Sequence, residues 1–270
     1  MPILHHQKLT APGEPEPRRW ILVLHGIYGA GRNWASVARR FVQARPEWGA
    51  VLVDLREHGA SVGFPPPHTV DACAADLASL VRSEAIDARA ILGHSFGGKV
   101  AMVYARDAPV PLEAVWVVDS TPDARPPAGS AWTMLRVLRL HPGPFPDRAG
   151  GIAAVEAEGF PNPVAQWMST NLLHTEDGYR WRLDPDVMES LMRSFFDTDA
   201  WDVVDAPPSG AHVHLIRAEE SGILTAEACA RIEGAARTTG RTHLHRVAGG
   251  HWVNADNPDA LHDLLVRETP

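Results

Sequence analysis

Cysteine is nearly missing from this sequence, with two in 270 residues, so no disulfide framework holds the fold. Cys73 falls at the apolar helical spacing Cys73, Leu77, Leu80, Val81 and reads as a reduced core residue. A basic excess is also missing. Lys and Arg total 25 against 33 Asp and Glu, a formal net charge of −8, and no basic cluster appears. Nucleic acid and anionic membranes are therefore not expected partners. No apolar run exceeds strand length, so none spans a bilayer. The start, Met1-Pro2-Ile3-Leu4-His5-His6-Gln7-Lys8, lacks the apolar core of a signal peptide. Together with the cysteine usage this sets the expectation of a cytoplasmic protein. Internal repeats are absent, and compositional bias is confined to the Pro-rich turns at 12–17 and 65–67.

What remains is the make-up of a globular enzyme. The chain is 45% hydrophobic and 21% charged, with 23 Pro and 22 Gly, which suits a core with many turns. Strand-like runs at 21–24, 50–53, 90–92 and 114–118 alternate with helical patterns at about 33–44, 70–82 and 98–106. That order predicts an α/β fold with a mostly parallel, doubly wound sheet. The alternation stops after Val118. From 121 to 209 the sequence shows proline-punctuated helical pieces and no convincing strand. Strands resume at 212–217 and 243–247 around a helix at about 225–237. A last helix opens at Asn257-Pro258, an N-cap followed by a first-turn proline. The predicted organisation is an α/β core, 1–120 and 210–270, interrupted by a helical cap at 121–209.

Gly93-His94-Ser95-Phe96-Gly97 stands between a predicted strand and a predicted helix. A G-x-S-x-G in that setting is a nucleophile elbow, a turn sharp enough to project the serine Oγ clear of its backbone. Acyl transfer also needs two backbone N–H groups aimed at the developing oxyanion. Phe96, just after the nucleophile, offers one. The loop His25-Gly26-Ile27-Tyr28-Gly29, at the carboxyl end of an earlier strand where ligands bind in such sheets, offers the other at Ile27. Of the 14 histidines, His251 is the candidate base, because Ala248-Gly249-Gly250-His251-Trp252 lies between the last strand and the last helix. His94 reads as a packing residue. The pairs His212/His214 and His243/His245 fall on strands predicted to be neighbours. Their reading as strand-face residues is preferred to a metal site, so neither metal nor cofactor is expected.

The motifs His25-Gly26-Ile27-Tyr28-Gly29, Asp54-Leu55-Arg56-Glu57-His58-Gly59, Gly93-His94-Ser95-Phe96-Gly97-Gly98 and Gly250-His251-Trp252 occur in the order used by α/β-hydrolases. Together they resemble the compact YbfF-like esterase and abhydrolase-domain group, over about residues 20–266. The resemblance is strong at the motifs and weak in the insertion. It implies a Ser–His–acid hydrolase with a helical cap, no cofactor, and small ester or thioester substrates. In most α/β-hydrolases the acid follows the next-to-last strand. Here that segment reads Ala218-Glu219-Glu220-Ser221-Gly222, and Ser221 stands where the carboxylate belongs. The YbfF-like group is similar to this chain here too, with its acid after an earlier strand. That implies Asp119, in Val118-Asp119-Ser120-Thr121-Pro122. Asp119 is preferred to Glu220, with Ser221 and Glu220 kept as accessory candidates. The Asp54 segment reads as architectural, tying its loop down by charge-assisted hydrogen bonds.

The resulting expectation is a serine hydrolase of short- to medium-chain carboxylic esters or acyl thioesters, with Ser95, His251 and Asp119 as triad and Ile27 and Phe96 as oxyanion donors. Four tryptophans of the insertion, Trp132, Trp167, Trp181 and Trp201, together with its Met and Phe residues supply an apolar pocket. The same triad could serve C–C bond hydrolysis, a lyase or a perhydrolase, and a pocket without chemistry could serve as a receptor. The acyl and alcohol groups and the oligomeric state are not written in the sequence.

Overall fold

In a computed structural model describing residues 2–270, the chain alternates strand and helix through its first half. The order is β1 (His6–Leu9), β2 (Arg19–Leu24), α1 (Ala35–Ala44), β3 (Trp48–Val53), α2 (Val70–Ser83), β4 (Ala88–His94), α3 (Phe96–Arg106) and β5 (Ala114–Val118). The insertion follows: α4 (Ser130–Leu140), α5 (Arg148–Ala157), α6 (Asn162–Ser169), β6 (Leu172–Thr175), β7 (Gly178–Trp181), α7 (Pro185–Asp197) and α8 (Trp201–Asp205). The core then closes with β8 (His212–Ala218), α9 (Ala226–Thr239), β9 (Thr242–Val247), α10 (Val253–Asp256) and α11 (Pro258–Glu268).

Seven strands form one sheet in the order β1-β3-β2-β4-β5-β8-β9. All neighbours are parallel except β1, which runs antiparallel along β3. Helices cover both faces, so β3 and β5 are buried at every residue, as unbroken apolar runs require. Leu22, Leu24, Ile91, Val115 and Leu215 face the layer containing α2, α3 and α9. Ile21, Val23, Leu92, Trp116 and Ile216 face α1 and α11. This is the α/β-hydrolase fold.

Two features depart from the sequence expectation. The edge strand β1, His-Gln-Lys-Leu, is too polar to read as a strand and is held by backbone pairing with β3. The insertion also contains strands, where none was expected: β6 and β7 form an antiparallel hairpin. Their four residues apiece lack an apolar alternation, and the two turn residues between them, Glu176 and Asp177, are not one of the glycine-containing pairs that announce a hairpin.

The insertion lies against the carboxyl ends of the core strands. Tyr28 Oη donates to Ala131 O of α4 at 2.9 Å, and Phe195 of α7 sits 6.0 Å, ring to ring, from Phe96. Helix α8 returns to pack on α3 and α9. Among the described residues no helix is long and apolar enough to cross a membrane.

Both stalks of the insertion are tied to one buried side chain. Lys99, on α3, donates from Nζ to Asp123 O at 2.8 Å on the way out and to Thr198 O at 2.7 Å on the way back. Burial pulls its pKa from 10.5 down to about 7. The charges of Asp123 and Asp199 oppose that shift, and those of Arg125 and Arg106 add to it. Between about pH 7 and 10.5 the unfolded chain therefore holds a proton here that the native state has released. This site's contribution to stability rises with pH across that window and is flat below it. Lys99→Met should abolish that rise and leave two carbonyls without donors, at about 1–3 kcal/mol each. Urea midpoints of both proteins at pH 7 and pH 9.5 test this. An equal pH dependence in the two would refute it.

Candidate active site

The turn between β4 and α3 is built by two glycines. A Cβ on Gly93 would lie 2.0 Å from Gly97 O, and one on Gly97 would lie 2.5 Å from His25 O. Without side chains there, strand and helix approach closely and force Ser95 to φ +52° and ψ −116°, a conformation costing about 1–3 kcal/mol. Serine is a favoured helix N-cap, yet the Ser95 hydroxyl does not cap α3. The hydroxyl is left unengaged by the helix, on a half-buried residue. Asp119 (φ +43°) and Tyr28 (φ +64°) are also strained non-glycine residues. Three of the five such residues among those described thus gather at one place, as stored strain does at functional sites.

Asp119 leaves the end of β5 and is fully buried. Its N–H donates to Ile216 O at 2.8 Å, and its Oδ1 accepts from Ala218 N at 3.2 Å. Its Oδ2 lies 2.7 Å from His251 Nδ1. The His251 ring is about one-third exposed, so Nδ1 is held against the carboxylate while the ring reaches the open side of the site. Ser95 N donates to Val118 O, which binds the elbow to the strand that carries Asp119.

The two candidate oxyanion donors are free. Phe96 opens α3, where the first amides have no partner inside the helix. Neither its N–H nor that of Ile27 donates to an acceptor among the described residues. Both residues are buried. The Ile27 amide is aimed by its neighbours. Gly26 O accepts from His25 Nδ1 at 2.7 Å and from Gly29 N at 3.0 Å. In a trans peptide the N–H points opposite to the C=O, so the Ile27 N–H is directed away from both.

Four supporting residues were not read from the sequence in these roles. His25 is buried, and burial lowers its pKa. As a neutral ring it donates from Nδ1 to Gly26 O and accepts at Nε2 from Leu55 N at 3.0 Å. His94 was expected only to pack. It lies 4.7 Å from the His251 ring and donates from Nε2 to His251 O at 2.8 Å, which fixes the candidate base through its backbone. Burial, with the charge of His251, pushes the His94 pKa down to about 3, so it stays a neutral donor. Tyr28 and Asn171 connect this loop to the insertion, through Tyr28 Oη and through Asn171 Nδ2 donating to Tyr28 O at 2.8 Å. Asn171 is 143 residues from Tyr28, and no local pattern announces such a contact.

The remaining sequence candidates lie elsewhere. Glu219 and Glu220 are exposed. Ser221 Oγ accepts from Ile223 N within its own turn. Asp54 accepts from Gly31 N at 2.7 Å and Ala60 N at 2.9 Å. Arg56 pairs with Asp76 on α2, so this segment braces loops. The two His-x-His pairs meet across β8 and β9, with His212 Nδ1 2.9 Å from His243 Nε2 and His214 Nδ1 3.0 Å from His245 Nε2. They stack on one another and on Trp116. Among the described residues no three metal-ligating side chains converge. In the insertion, Trp132 abuts Phe196, and Trp167 lies 5.5 Å from Trp252 beside His251.

The family model described as "Alpha/beta hydrolase family" matches residues 21–264. An sn-1-specific diacylglycerol lipase ABHD11 from Xenopus tropicalis is 27% identical over 95% of this chain and 77% of its own length. A 2-succinyl-6-hydroxy-2,4-cyclohexadiene-1-carboxylate synthase from Serratia proteamaculans is 30% identical over 58% of each chain. Among solved structures, one titled "Marine microorganism esterase" superposes with a TM-score of 0.83 at 22% identity, covering 99% of both chains.

Proposed function

This chain belongs to the alpha/beta hydrolase family, and from that premise we propose that it is a serine hydrolase of carboxylic esters or acyl thioesters with short to medium acyl groups. Its relatives include lipases and esterases. The observation that carries the reading is the 2.7 Å bond from His251 to the buried Asp119, on the strand to which the Ser95 elbow is tied.

In the proposed mechanism Ser95 Oγ attacks the acyl carbon. With Nδ1–H donated to Asp119, His251 presents Nε2 as the lone pair that takes the serine proton, and the carboxylate stabilises the imidazolium. The Ile27 and Phe96 amides receive the oxyanion. His251 then protonates the departing alcohol or thiol, and the acyl-enzyme reacts with water by the same steps in reverse. Ester and water balance against acid and alcohol, so the cycle calls for neither metal nor cofactor. The insertion acts as a cap, whose Phe and Trp side chains bound the acyl site.

Hydrolysis of p-nitrophenyl esters of graded length, alongside acyl-CoA thioesters, tests this. Each methylene that finds room should gain about 0.8 kcal/mol, until the pocket is full. A kcat/KM still rising at long chains would refute the chain-length limit. A second reading, in which the same triad serves C–C bond hydrolysis, a lyase or a perhydrolase reaction, is kept because one relative is named as a synthase and not as an esterase. Fluorophosphonate labelling without turnover of any ester or thioester would favour it.

A further inference from the structure

We propose that Asn171 and Tyr28 make the insertion a positioning element for the oxyanion hole, so that acyl transfer requires the insertion to be seated. This rests on the serine-hydrolase reading above and adds to it two residues and a condition.

Two peptide planes act in series. The Tyr28–Gly29 peptide is held at both ends. Its C=O accepts from Asn171 Nδ2 at 2.8 Å, and its N–H donates to Gly26 O at 3.0 Å. Gly26 O belongs to the peptide whose opposite end is the Ile27 N–H. Because each trans peptide is rigid, rotation of the first plane withdraws a hydrogen bond that orients the second. Asn171 is buried, just after α6. Its own place is set inside the insertion, by its N–H on Met168 O and its carbonyl accepting from Arg182 N.

The Tyr28 side chain supplies the second tie. It is 2% exposed, and its hydroxyl donates to Ala131 O of α4 at 2.9 Å, with Met192 Sδ of α7 at 3.2 Å. Tyr28 also has φ +64°, a conformation that persists only where its surroundings impose it. Here the Gly26–Gly29 turn sets that conformation locally, and three segments of the insertion hold the turn in place. Were the insertion to lift, both ties would break, and the strained corner would be free to relax and carry the Ile27 amide with it. A substrate that completes closure would thereby complete the donor set, which is induced fit of the catalytic geometry.

The test uses Asn171→Leu, which is close in shape and has no donor and no charge, and Tyr28→Phe, which deletes only the hydroxyl. Each is assayed with a p-nitrophenyl ester, with the matching trifluoromethyl ketone, which forms an oxyanion on Ser95, and with the matching ether, which cannot. Loss of a direct donor costs about 10²–10³ in kcat, and a donor displaced rather than removed should cost about 10- to 100-fold. The expected result is that loss in kcat, with KM within about twofold. The ketone should weaken by the same factor and the ether should bind unchanged. A merely structural role would lower the melting temperature and weaken ketone and ether alike, which would overturn the proposal, as would unchanged kcat in both folded variants. A wild-type protein that neither hydrolyses esters nor takes up a fluorophosphonate would instead sink the underlying reading.

Discussion

Replacing Ser95 with alanine should abolish covalent labelling by fluorophosphonates and lower kcat by about 10⁵- to 10⁶-fold, the scale seen when a triad nucleophile is removed. The protein should stay folded. The Ser95 hydroxyl does not cap α3, and the strain at φ +52° belongs to the backbone and is carried equally by alanine. What remains should still exceed the uncatalysed rate, because the oxyanion donors and the binding site persist. Activity-based labelling, circular dichroism and single-turnover kinetics check the three parts. Labelling of the alanine variant at wild-type level would place the nucleophile on another residue.

Asp119→Asn should lower kcat by about 10⁴-fold, by analogy with the same change in a serine protease triad. The carboxylate has two tasks, one for each oxygen. Oδ1 accepts from Ala218 N and Oδ2 accepts from His251 Nδ1. In the asparagine variant the side-chain oxygen satisfies the Ala218 amide, and the NH2 turns toward His251. Nδ1 must then accept, so Nε2 carries the proton and cannot take one from Ser95. The shape is preserved while the tautomer and the charge are wrong. Glu219→Gln and Glu220→Gln should be near wild type, because both side chains are exposed. Ser221→Ala should cost little, since its hydroxyl serves a local turn. Near-normal kcat in Asp119→Asn, with Glu220→Gln inactive, would move the acid to the later strand.

The parallel α/β sheet and the glycine-flanked turn at Ser95 could be read directly from the sequence, because the chemistry that makes them is local, whereas the α/β-hydrolase assignment came from the resemblance of the motifs. Fully buried strands need unbroken apolar runs such as Ile21-Leu22-Val23-Leu24, and a nucleophile elbow needs glycines on both sides of its serine. The polar edge strand β1 and the β6–β7 hairpin were missed for the complementary reason. They are held by backbone pairing and carry no apolar period to announce them. His94 and His25 were visible as residues, but their tasks were not, since each acts on a carbonyl whose position depends on the fold.

The order of the motifs, the sharp turn at Ser95 and the glycine-bounded loop before Ile27 are thus properties of the sequence by itself. The partner of His251 is not. Asp119 and Glu220 are both carboxylates close after strand ends, and the sequence could rank them only by resemblance. What the tertiary structure adds is a contact: β5 and β8 run side by side, so the end of β5 reaches His251 across 132 residues of chain, while Glu220 is exposed. That contact is why Asp119 is the proposed acid. The same holds for Asn171 and Tyr28. A hydrogen bond depends on distance and direction in space, and residues far apart in sequence acquire both only once the sheet has placed its strands and the insertion has packed upon them.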